Sequence, residues 1–270
     1  MEQRLLHPDG VALGYRVSGT GPAIVLLHGF GEDGRVWTNQ VDHFPGWQLI
    51  VPDLPGSGVS GMKADMSMEG LAEAVAQILD AESVSSCILV GHSMGGYITM
   101  AMAQKYPGRL AAFGLFHSSA FADSDEKKAV RSKGIDFIRQ HGAAAFLKSS
   151  IPNLFSTATK AGRPELIEEQ VQGNADMTDA ALVAYYESMM ARPDRTEFLK
   201  DATVPVLFVL GREDAAVPIA DGLRQCYLPA RSQVDILEAS GHMGMIEEAD
   251  AANRSLQRFV TWVSKQSTTT

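Results

Sequence analysis

The feature that most constrains the fold is a repeated alternation of short apolar runs with amphipathic segments. Six runs are almost continuously apolar: AIVLLHG, WQLIVPD, SCILVGH, LAAFGLFHS, VPVLFVLG and SQVDILE. Strands that are apolar on both faces are typical of parallel sheets covered by helices on both sides. The segment RLLHPDGVALGYRV adds a predicted hairpin that turns at Asp9-Gly10. The sequence therefore predicts an α/β fold with a mostly parallel, eight-stranded twisted sheet and helices on both faces.

Helical patterns fall between these runs, at residues 67–79, 94–106, 219–226 and 247–263. The segment from 122 to 200 breaks the alternation, since it is rich in helix-favouring residues and has no convincing strand pattern. We expect a core domain of residues 1–121 and 201–270 and a helical cap insertion of residues 122–200. An ordinary series of surface helices is the alternative. The tail SKQSTTT is expected to be disordered.

Composition and charge restrict the partners. Hydrophobic residues make up 45% of the chain and charged residues 20%, which is enough for a large core. The net charge of −9 disfavours nucleic acid and anionic membranes. We find neither a secretory signal nor a membrane span, and therefore expect a cytoplasmic protein. Cys87 and Cys226 lie in apolar segments, so both are expected to be buried packing residues rather than parts of a disulfide or metal framework.

The most informative motif is GHSMG, residues 91–95, because it joins an apolar strand to a helical segment. In this context a Gly-x-Ser-x-Gly pattern predicts a nucleophile elbow, with Ser93 on the sharp turn between strand and helix. Gly91 and Gly95 are needed where the backbones come too close for a Cβ. A glycine-rich turn without catalytic function is the alternative. The elbow predicts that Ser93 is a nucleophile.

A serine nucleophile needs a base and an acid that orients the base. In the chain order serine, acid, histidine, His242 in the loop sequence EASGHMG is the predicted base. Asp214 follows the strand VPVLFVLG at the carboxyl edge of the sheet, where sites of α/β sheets gather, and is the predicted acid. Glu213 and Asp123 are alternative acids.

Acyl transfer also needs donors for an oxyanion. The loop in LLHGFGEDG follows an early strand, and the backbone N–H groups of Phe30 and Met94 are the predicted donors. His28 is interpreted as shaping this loop. The loop does not match a nucleotide-binding pattern.

Together these segments resemble the α/β-hydrolase superfamily over nearly the whole chain outside the insertion. The motifs LLHGFGEDGRVW, VPDLPGSGVS, VGHSMGGYITMAMAQKYP, GREDAAVP and SGHMGMIEEAD stand in that family's order. The resemblance implies a triad of Ser93, Asp214 and His242, an oxyanion hole formed by the Phe30 and Met94 backbone, and a cap over an acyl pocket. No cofactor is implied, and we identify no metal-ligand spacing. Serine at the elbow disfavours the alkyl-enzyme chemistry of epoxide hydrolases and dehalogenases.

The leading hypothesis is a serine hydrolase that cleaves carboxylic esters of a small-molecule acyl substrate. Trp37, Met243 and Met245 are the expected pocket residues, because they are close in sequence to the oxyanion loop and the base. The same residues are also compatible with hydrolysis of thioesters or carbon-carbon bonds, perhydrolysis or a lyase reaction. A small-molecule receptor with slow hydrolysis is a further alternative, although Gly95-Gly96 weakens it. The sequence does not indicate an oligomeric state.

Overall fold

The computed structural model describes residues 1–267, and its centre is one eight-stranded sheet. The strands are β1 (Glu2–Leu6), β2 (Leu13–Ser18), β3 (Ala23–Leu27), β4 (Gln48–Pro52), β5 (Cys87–His92), β6 (Leu110–Phe116), β7 (Val206–Gly211) and β8 (Ser232–Leu237). Their order is β1-β2-β4-β3-β5-β6-β7-β8. β1 and β2 pair in antiparallel fashion, as do β2 and β4, and every pair from β4 onward is parallel. The predicted fold class is confirmed.

The helices lie in the intervals between the strands and after β8. They are α1 (Met68–Ala81), α2 (Met94–Lys105), α3 (Asp125–His141), α4 (Ala143–Ser150), α5 (Thr157–Gly162), α6 (Pro164–Gly173), α7 (Asp179–Ala191), α8 (Thr196–Lys200), α9 (Ile219–Leu223), α10 (Gly244–Glu247) and α11 (Ala249–Ser267). A 3-10 helix, Gly34–His43, was not predicted from the sequence. Ser67 caps α1 by accepting a hydrogen bond from the Gly70 N–H at 3.1 Å, which explains why the helix begins there.

Two predicted helices and the predicted tail differ most from the structure. The helix expected at 219–226 ends at Leu223. The helix expected at 247–263 is two helices, because Glu248 has φ −129° and ψ 54°, which interrupts the helical path between α10 and α11. The second of these helices continues to Ser267, so the first four residues of the tail expected to be disordered are helical. The rest of that tail, 268–270, lies outside the described residues.

Both faces of the sheet are buried, which accounts for the continuous apolar runs. In β3, Val25 and Leu27 pack into one hydrophobic cluster with residues of α1 and α2, whereas Ile24 and Leu26 pack into a second cluster with residues of α11. Successive side chains of a strand point to opposite faces, so a strand between two helical layers must be apolar at every position. This packing fixes the carboxyl ends of the parallel strands relative to one another.

The chain between β6 and β7 is helical, and the described residues there contain no strand. Six helices, α3 to α8, and a short 3-10 turn at Ile151–Leu154 occupy this interval. This run of helices supports a division into a core of residues 1–121 and 201–270 and a cap of residues 122–200, which stays a proposal. Among the described residues, no helix is long and apolar enough to cross a membrane.

The two cysteines differ in burial, and neither forms a disulfide. Cys87 in β5 is buried, and this burial raises the pKa of its thiol to about 12. Cys226 follows α9 and is half-buried, with its Sγ near the Leu223 carbonyl oxygen at 3.5 Å. The expectation of a fully buried packing residue therefore holds for Cys87 and not for Cys226.

Candidate active site

Four loops at the carboxyl edge of the sheet carry the predicted site residues. Phe30 follows β3, Ser93 follows β5, Asp214 follows β7 and His242 follows β8. Parallel strands bring these ends together although up to 212 positions separate the residues along the chain, as numbered in the sequence. The site is thus assembled by the sheet rather than by any local segment.

Ser93 has the backbone of a nucleophile elbow. Its φ of 51° and ψ of −115° lie where a residue with a side chain is strained, at a cost of about 1–3 kcal/mol. A Cβ on Gly91 would lie 2.1 Å from the Gly95 backbone, and one on Gly95 would lie 2.6 Å from the His28 carbonyl oxygen. The Ser118 hydroxyl donates to the Ser93 carbonyl at 2.7 Å and holds the turn. The strain is therefore maintained by close backbone packing and a side-chain contact.

Asp214 and His242 are in direct contact. His242 Nδ1 lies 2.8 Å from Asp214 Oδ2, and the other carboxylate oxygen accepts from the Ala216 and Val217 N–H groups at 2.9 and 2.8 Å. Burial raises the pKa of Asp214, but the charge on His242 and the hydrogen bonds of the carboxylate outweigh burial and hold it well below its ordinary value. Asp214 is therefore ionised at neutral pH.

The charge of Asp214 acts on the predicted base. Burial lowers the pKa of His242, whereas the charge of Asp214 and its hydrogen bond raise it, and the net result lies above the ordinary value. Since Nδ1 donates to Asp214, Nε2 is the nitrogen left to accept a proton. Such an arrangement can orient an imidazole for general-base catalysis.

Ser93 and His242 face the same cavity of about 400 Å³. Within the described residues, the Ser93 hydroxyl makes no hydrogen bond to His242 or to its own helix. Catalytic hydrogen bonds often form only when substrate is bound, and a serine side chain moves by rotation about one bond. The structure therefore brings acid and base into contact and places the nucleophile at the same cavity.

The predicted oxyanion donors have no competing acceptor. The N–H groups of Phe30 and Met94 make no hydrogen bond within the part of the chain that the structure describes. His28 Nε2 accepts from the Leu54 N–H at 2.9 Å, so its Nδ1 carries the proton and donates to the Gly29 carbonyl at 2.8 Å. This tautomer is fixed by the backbone, which agrees with a role in shaping the loop.

The alternative acids are engaged elsewhere. Glu213 accepts a hydrogen bond from the Thr157 N–H at 2.9 Å. Asp123 is paired with Arg131 at 2.6 Å and with Arg192 at 2.9 Å. Neither of these carboxylates contacts the base.

A second buried acid–histidine pair was not anticipated from the sequence. Glu32 Oε2 lies 3.0 Å from His92 Nδ1 and accepts from the Gly29 N–H at 2.7 Å, while His92 Nε2 lies 2.9 Å from the His242 carbonyl oxygen. Burial raises the pKa of Glu32, but the charge of His92 and the hydrogen bonds to Glu32 lower it, and the net result is below the ordinary value. Both ring nitrogens of His92 therefore lie at hydrogen-bond distance from acceptor atoms.

A second histidine also contacts the predicted acid. His117 follows β6 with φ 48°, is fully buried, and places its Nδ1 3.0 Å from Asp214 Oδ2. Burial lowers the pKa of His117 and outweighs the opposing charge of Asp214, so the ring is neutral and Nδ1 donates. Its Nε2 has no partner among the described residues. The sequence signal for this residue was a histidine at the end of a predicted strand.

The same cluster has the spacing of metal ligands. Ligand atoms of His117, Asp214 and His242 lie within 4.8 Å of one another. Both imidazole Nδ1 atoms, however, are at hydrogen-bond distance from one carboxylate oxygen, at 3.0 and 2.8 Å. A metal ion would have to replace both hydrogen bonds. The three side chains therefore fit a carboxylate that orients two imidazole rings.

The expected pocket residues need correction. Trp37, Met243 and Met245 are at most 1% exposed and belong to the hydrophobic core rather than to the cavity lining. The Trp37 ring meets the Phe116 ring edge-on, with centroids 5.3 Å apart. Closeness in sequence to the loops did not determine side-chain direction. The described residues that line the cavity are instead Phe30, Glu32, Ser93, Tyr97, Glu126, Lys127, Val130, Arg131, Leu154, Tyr186, Met189, Ala215, Ala216, Val217 and His242.

This fold agrees with the comparison to a known family. A family model described as the alpha/beta hydrolase fold matches residues 22–249, and the chain belongs to this family. It is 28% identical over 276 residues to the 2-hydroxy-6-oxononadienedioate/2-hydroxy-6-oxononatrienedioate hydrolase of Burkholderia vietnamiensis, covering 91% of this chain and 90% of that protein.

Solved structures are similar over almost the whole chain. A thermophilic esterase from Thermogutta terrifontis, with malate bound, is 28% identical and has a TM-score of 0.91, covering 97% of this chain and 99% of the esterase. The enol-lactonase from Burkholderia xenovorans, 24% identical, shares the fold with a TM-score of 0.88, covering 96% of this chain and 100% of the lactonase. The chain is therefore a hydrolase of this fold.

Proposed function

We propose that this hydrolase cleaves carboxylic esters through Ser93, His242 and Asp214. The observation that carries the proposal is the 2.8 Å contact between His242 and Asp214 at the cavity that also holds Ser93. The similar esterase structure supports the ester class. The substrate is a small molecule with an acyl group that fits a cavity of about 400 Å³.

The reaction proceeds in two half-reactions. Ser93 Oγ attacks the ester carbonyl carbon while His242 Nε2 takes the hydroxyl proton, and the oxyanion accepts hydrogen bonds from the Phe30 and Met94 N–H groups. The C–O bond to the alcohol breaks, His242 protonates the leaving alcohol, and an acyl-enzyme remains. Water then gives a proton to His242 and attacks the acyl carbon, which releases the acid and restores the Ser93 hydroxyl.

The decisive experiment combines fluorophosphonate labelling with ester turnover. Ser93→Ala should abolish labelling and reduce kcat about 10⁴-fold or more. Ser149→Ala is the matched control, because this exposed serine lies in α4 and donates to the Phe146 carbonyl at 2.8 Å. The control should label and turn over as the parent does. Undiminished labelling of Ser93→Ala would exclude Ser93 as the nucleophile.

Carbon-carbon bond hydrolysis is the second candidate, and the related hydrolase from Burkholderia vietnamiensis favours it. Both reactions would use the same three side chains, so variants of the triad do not separate them. A substrate panel does, because ester turnover far above that of 2-hydroxy-6-oxo acids supports the first candidate. The reverse ratio supports the second.

A receptor with slow hydrolysis is separated from both candidates by turnover. An enzyme gives many product molecules per protein at a constant rate, whereas a receptor stops after about one.

We further propose that residues 122–200 cap the cavity, since Leu154, Tyr186 and Met189 line it from that segment. The cytoplasmic location and the lack of nucleic-acid or membrane partners stay predictions from the sequence.

A further inference from the structure

The cavity at Ser93 is apolar over much of its wall, and a half-buried arginine lies in that wall. Arg131 in α3 lines it, with a side chain only 17% exposed. Its guanidinium lies over the Tyr186 ring, 5.5 Å from the centroid. A charge held in such a place needs a partner, because removing it from water is costly.

Arg131 is only partly satisfied within the chain. Its Nε and Nη2 donate to Asp123 at 2.6 and 3.2 Å, and Nη1 has no hydrogen-bond partner among the described residues. An arginine carries five N–H donors in a planar fork that suits carboxylates. The free edge of this guanidinium is therefore available to a ligand in the cavity.

Arg131 shares its carboxylate partner with a second arginine. Asp123 also pairs with Arg192, at 2.9 Å, and it is the only carboxylate among the described residues within ion-pair distance of either guanidinium. Arg192 itself is turned away from ligands, since its side chain is 3% exposed and it donates to the Met189 and Phe121 carbonyls. The two guanidiniums therefore share a single carboxylate at ion-pair distance.

The other charged groups of the cavity wall are engaged elsewhere or exposed. Glu32 is paired with His92 at 3.0 Å. Glu126 is exposed and adjacent in the chain to Lys127, whose ammonium is 4.0 Å from Asp221. Arg131 is thus a cation of the cavity lining whose guanidinium keeps a free donor, in the space where the acyl group would bind.

We propose that the substrate is an ester that carries a carboxylate, and that Arg131 Nη1 binds this group during hydrolysis at Ser93. This inference rests on the proposed esterase function. It extends that function by naming the substrate class and a specificity-determining residue. The ester carbonyl lies at Ser93, and the carboxylate extends toward α3. Arg131 takes no part in bond breaking.

The test compares monoethyl glutarate with ethyl pentanoate, whose acyl chains have equal length. The parent should prefer the glutarate ester, and Arg131→Gln should lower kcat/KM for it about 10-fold or more, as expected for loss of a hydrogen bond between charged groups. The same variant should change kcat/KM for the pentanoate ester by less than about 2-fold. Arg131→Lys should retain part of the preference, since it keeps the charge without the planar fork.

Arg139→Gln is the matched control. This arginine lies in the same helix, is 60% exposed and pairs with Glu187 at 3.4 Å, away from the cavity lining. It should leave both kcat/KM values unchanged. Equal turnover of the two esters by the parent, or an equal loss on both esters in Arg131→Gln, would overturn the inference.

A binding measurement separates this inference from the proposed function. Calorimetry with the amides glutaramate and pentanamide needs no ester turnover, and pentanamide has no carboxylate. The parent should bind glutaramate more tightly than pentanamide, and Arg131→Gln should remove the difference. If neither ester is hydrolysed but glutaramate binds through Arg131, the esterase proposal fails and the carboxylate site stands. If ethyl pentanoate is hydrolysed and the two amides bind equally, the esterase proposal stands and the carboxylate site fails.

Discussion

Two buried carboxylates contact histidine rings at the carboxyl edge of the sheet, and they use their oxygens differently. Asp214 spreads four hydrogen bonds over both oxygens, two from backbone N–H groups and two from histidine rings. Glu32 uses one oxygen to contact both Gly29 and His92. Asp214 therefore contacts the proposed base directly, whereas Glu32 contacts Gly29 and His92, and His92 in turn contacts the backbone of the proposed base.

The comparison assigns the two carboxylates different proposed tasks. Asp214 would orient the base, and Glu32 would orient the loops around it. His92 connects the two, because it contacts Glu32 at one ring nitrogen and the His242 carbonyl at the other. One buried Glu32–His92 contact thus joins the loop after β3, the end of β5 and the loop after β8. Loss of Asp214 should disable the chemical step, whereas loss of Glu32 should loosen the geometry of the donors.

The largest effect is expected at Asp214. Asp214→Asn should reduce kcat about 10⁴-fold, because an amide presents the wrong hydrogen-bonding group to His242 Nδ1 and favours the wrong tautomer. Glu213→Gln is the matched control, since Glu213 is the neighbouring acid and contacts only the exposed Thr157 N–H. Steady-state kinetics on a neutral ester measures both. A loss of less than about 10-fold in Asp214→Asn would contradict the assigned role.

A smaller loss is expected at Glu32. Glu32→Gln should reduce kcat about 10²-fold with little change in KM, because displaced oxyanion donors and a displaced base affect the transition state more than substrate binding. The result would identify Glu32 as a positioning residue. The rate of fluorophosphonate labelling should fall in parallel, since it depends on the same geometry.

The control for Glu32 is a carboxylate of equal burial elsewhere. Glu82 has a side chain 6% exposed, against 5% for Glu32, and it bonds Arg4, Tyr15 and Gln48 far from the cavity lining. Glu82→Gln should lower the free energy of unfolding without changing kcat. If both variants lose stability and both keep kcat, Glu32 has only a structural role.

An effect of about 10-fold on kcat is expected from His117→Phe, since Asp214 keeps three of its four hydrogen bonds. Without this donor the charge of Asp214 acts more strongly on His242, so the acid limb of the pH–rate profile should move to higher pH. His117→Asn is the conservative control, because an amide N–H can replace the Nδ1 donor. An unshifted limb in His117→Phe would exclude the contact with Asp214 as the cause.

The fold was predictable because its signals are local. An apolar run such as AIVLLHG indicates a strand that is buried on both faces. Gly91 and Gly95 indicate that backbone segments approach closely at the elbow. The break between α10 and α11 was not predictable, since the helical pattern runs through Glu248 without a proline or glycine at that position. Hydrophobic periodicity alone does not record such an interruption.

The candidate site was only partly predictable because side-chain contacts are not local. Ser93, Asp214 and His242 have recognisable sequence surroundings, whereas the contact of His117 with Asp214 spans 97 positions and that of Glu32 with His92 spans 60. Trp37 was assigned to the pocket by its position in the chain, but its side chain points into the core. Two histidines at strand ends, His92 and His117, were the available signal.

The smallest expected effect concerns pH. As pH rises, kcat/KM should increase while the contribution of the His242–Asp214 pair to the free energy of unfolding should decrease. The pKa of His242 is raised in the folded chain, so the His242–Asp214 pair stabilises the fold fully below the unfolded value of about 6.5 and loses this contribution as pH rises through the folded pKa. General-base catalysis needs the neutral ring, so kcat/KM should rise through the same window. Chemical denaturation of the parent and of His242→Gln, followed across that window, measures the stability term. The difference between their free energies of unfolding should shrink as pH increases, and a difference that grows would contradict the raised pKa.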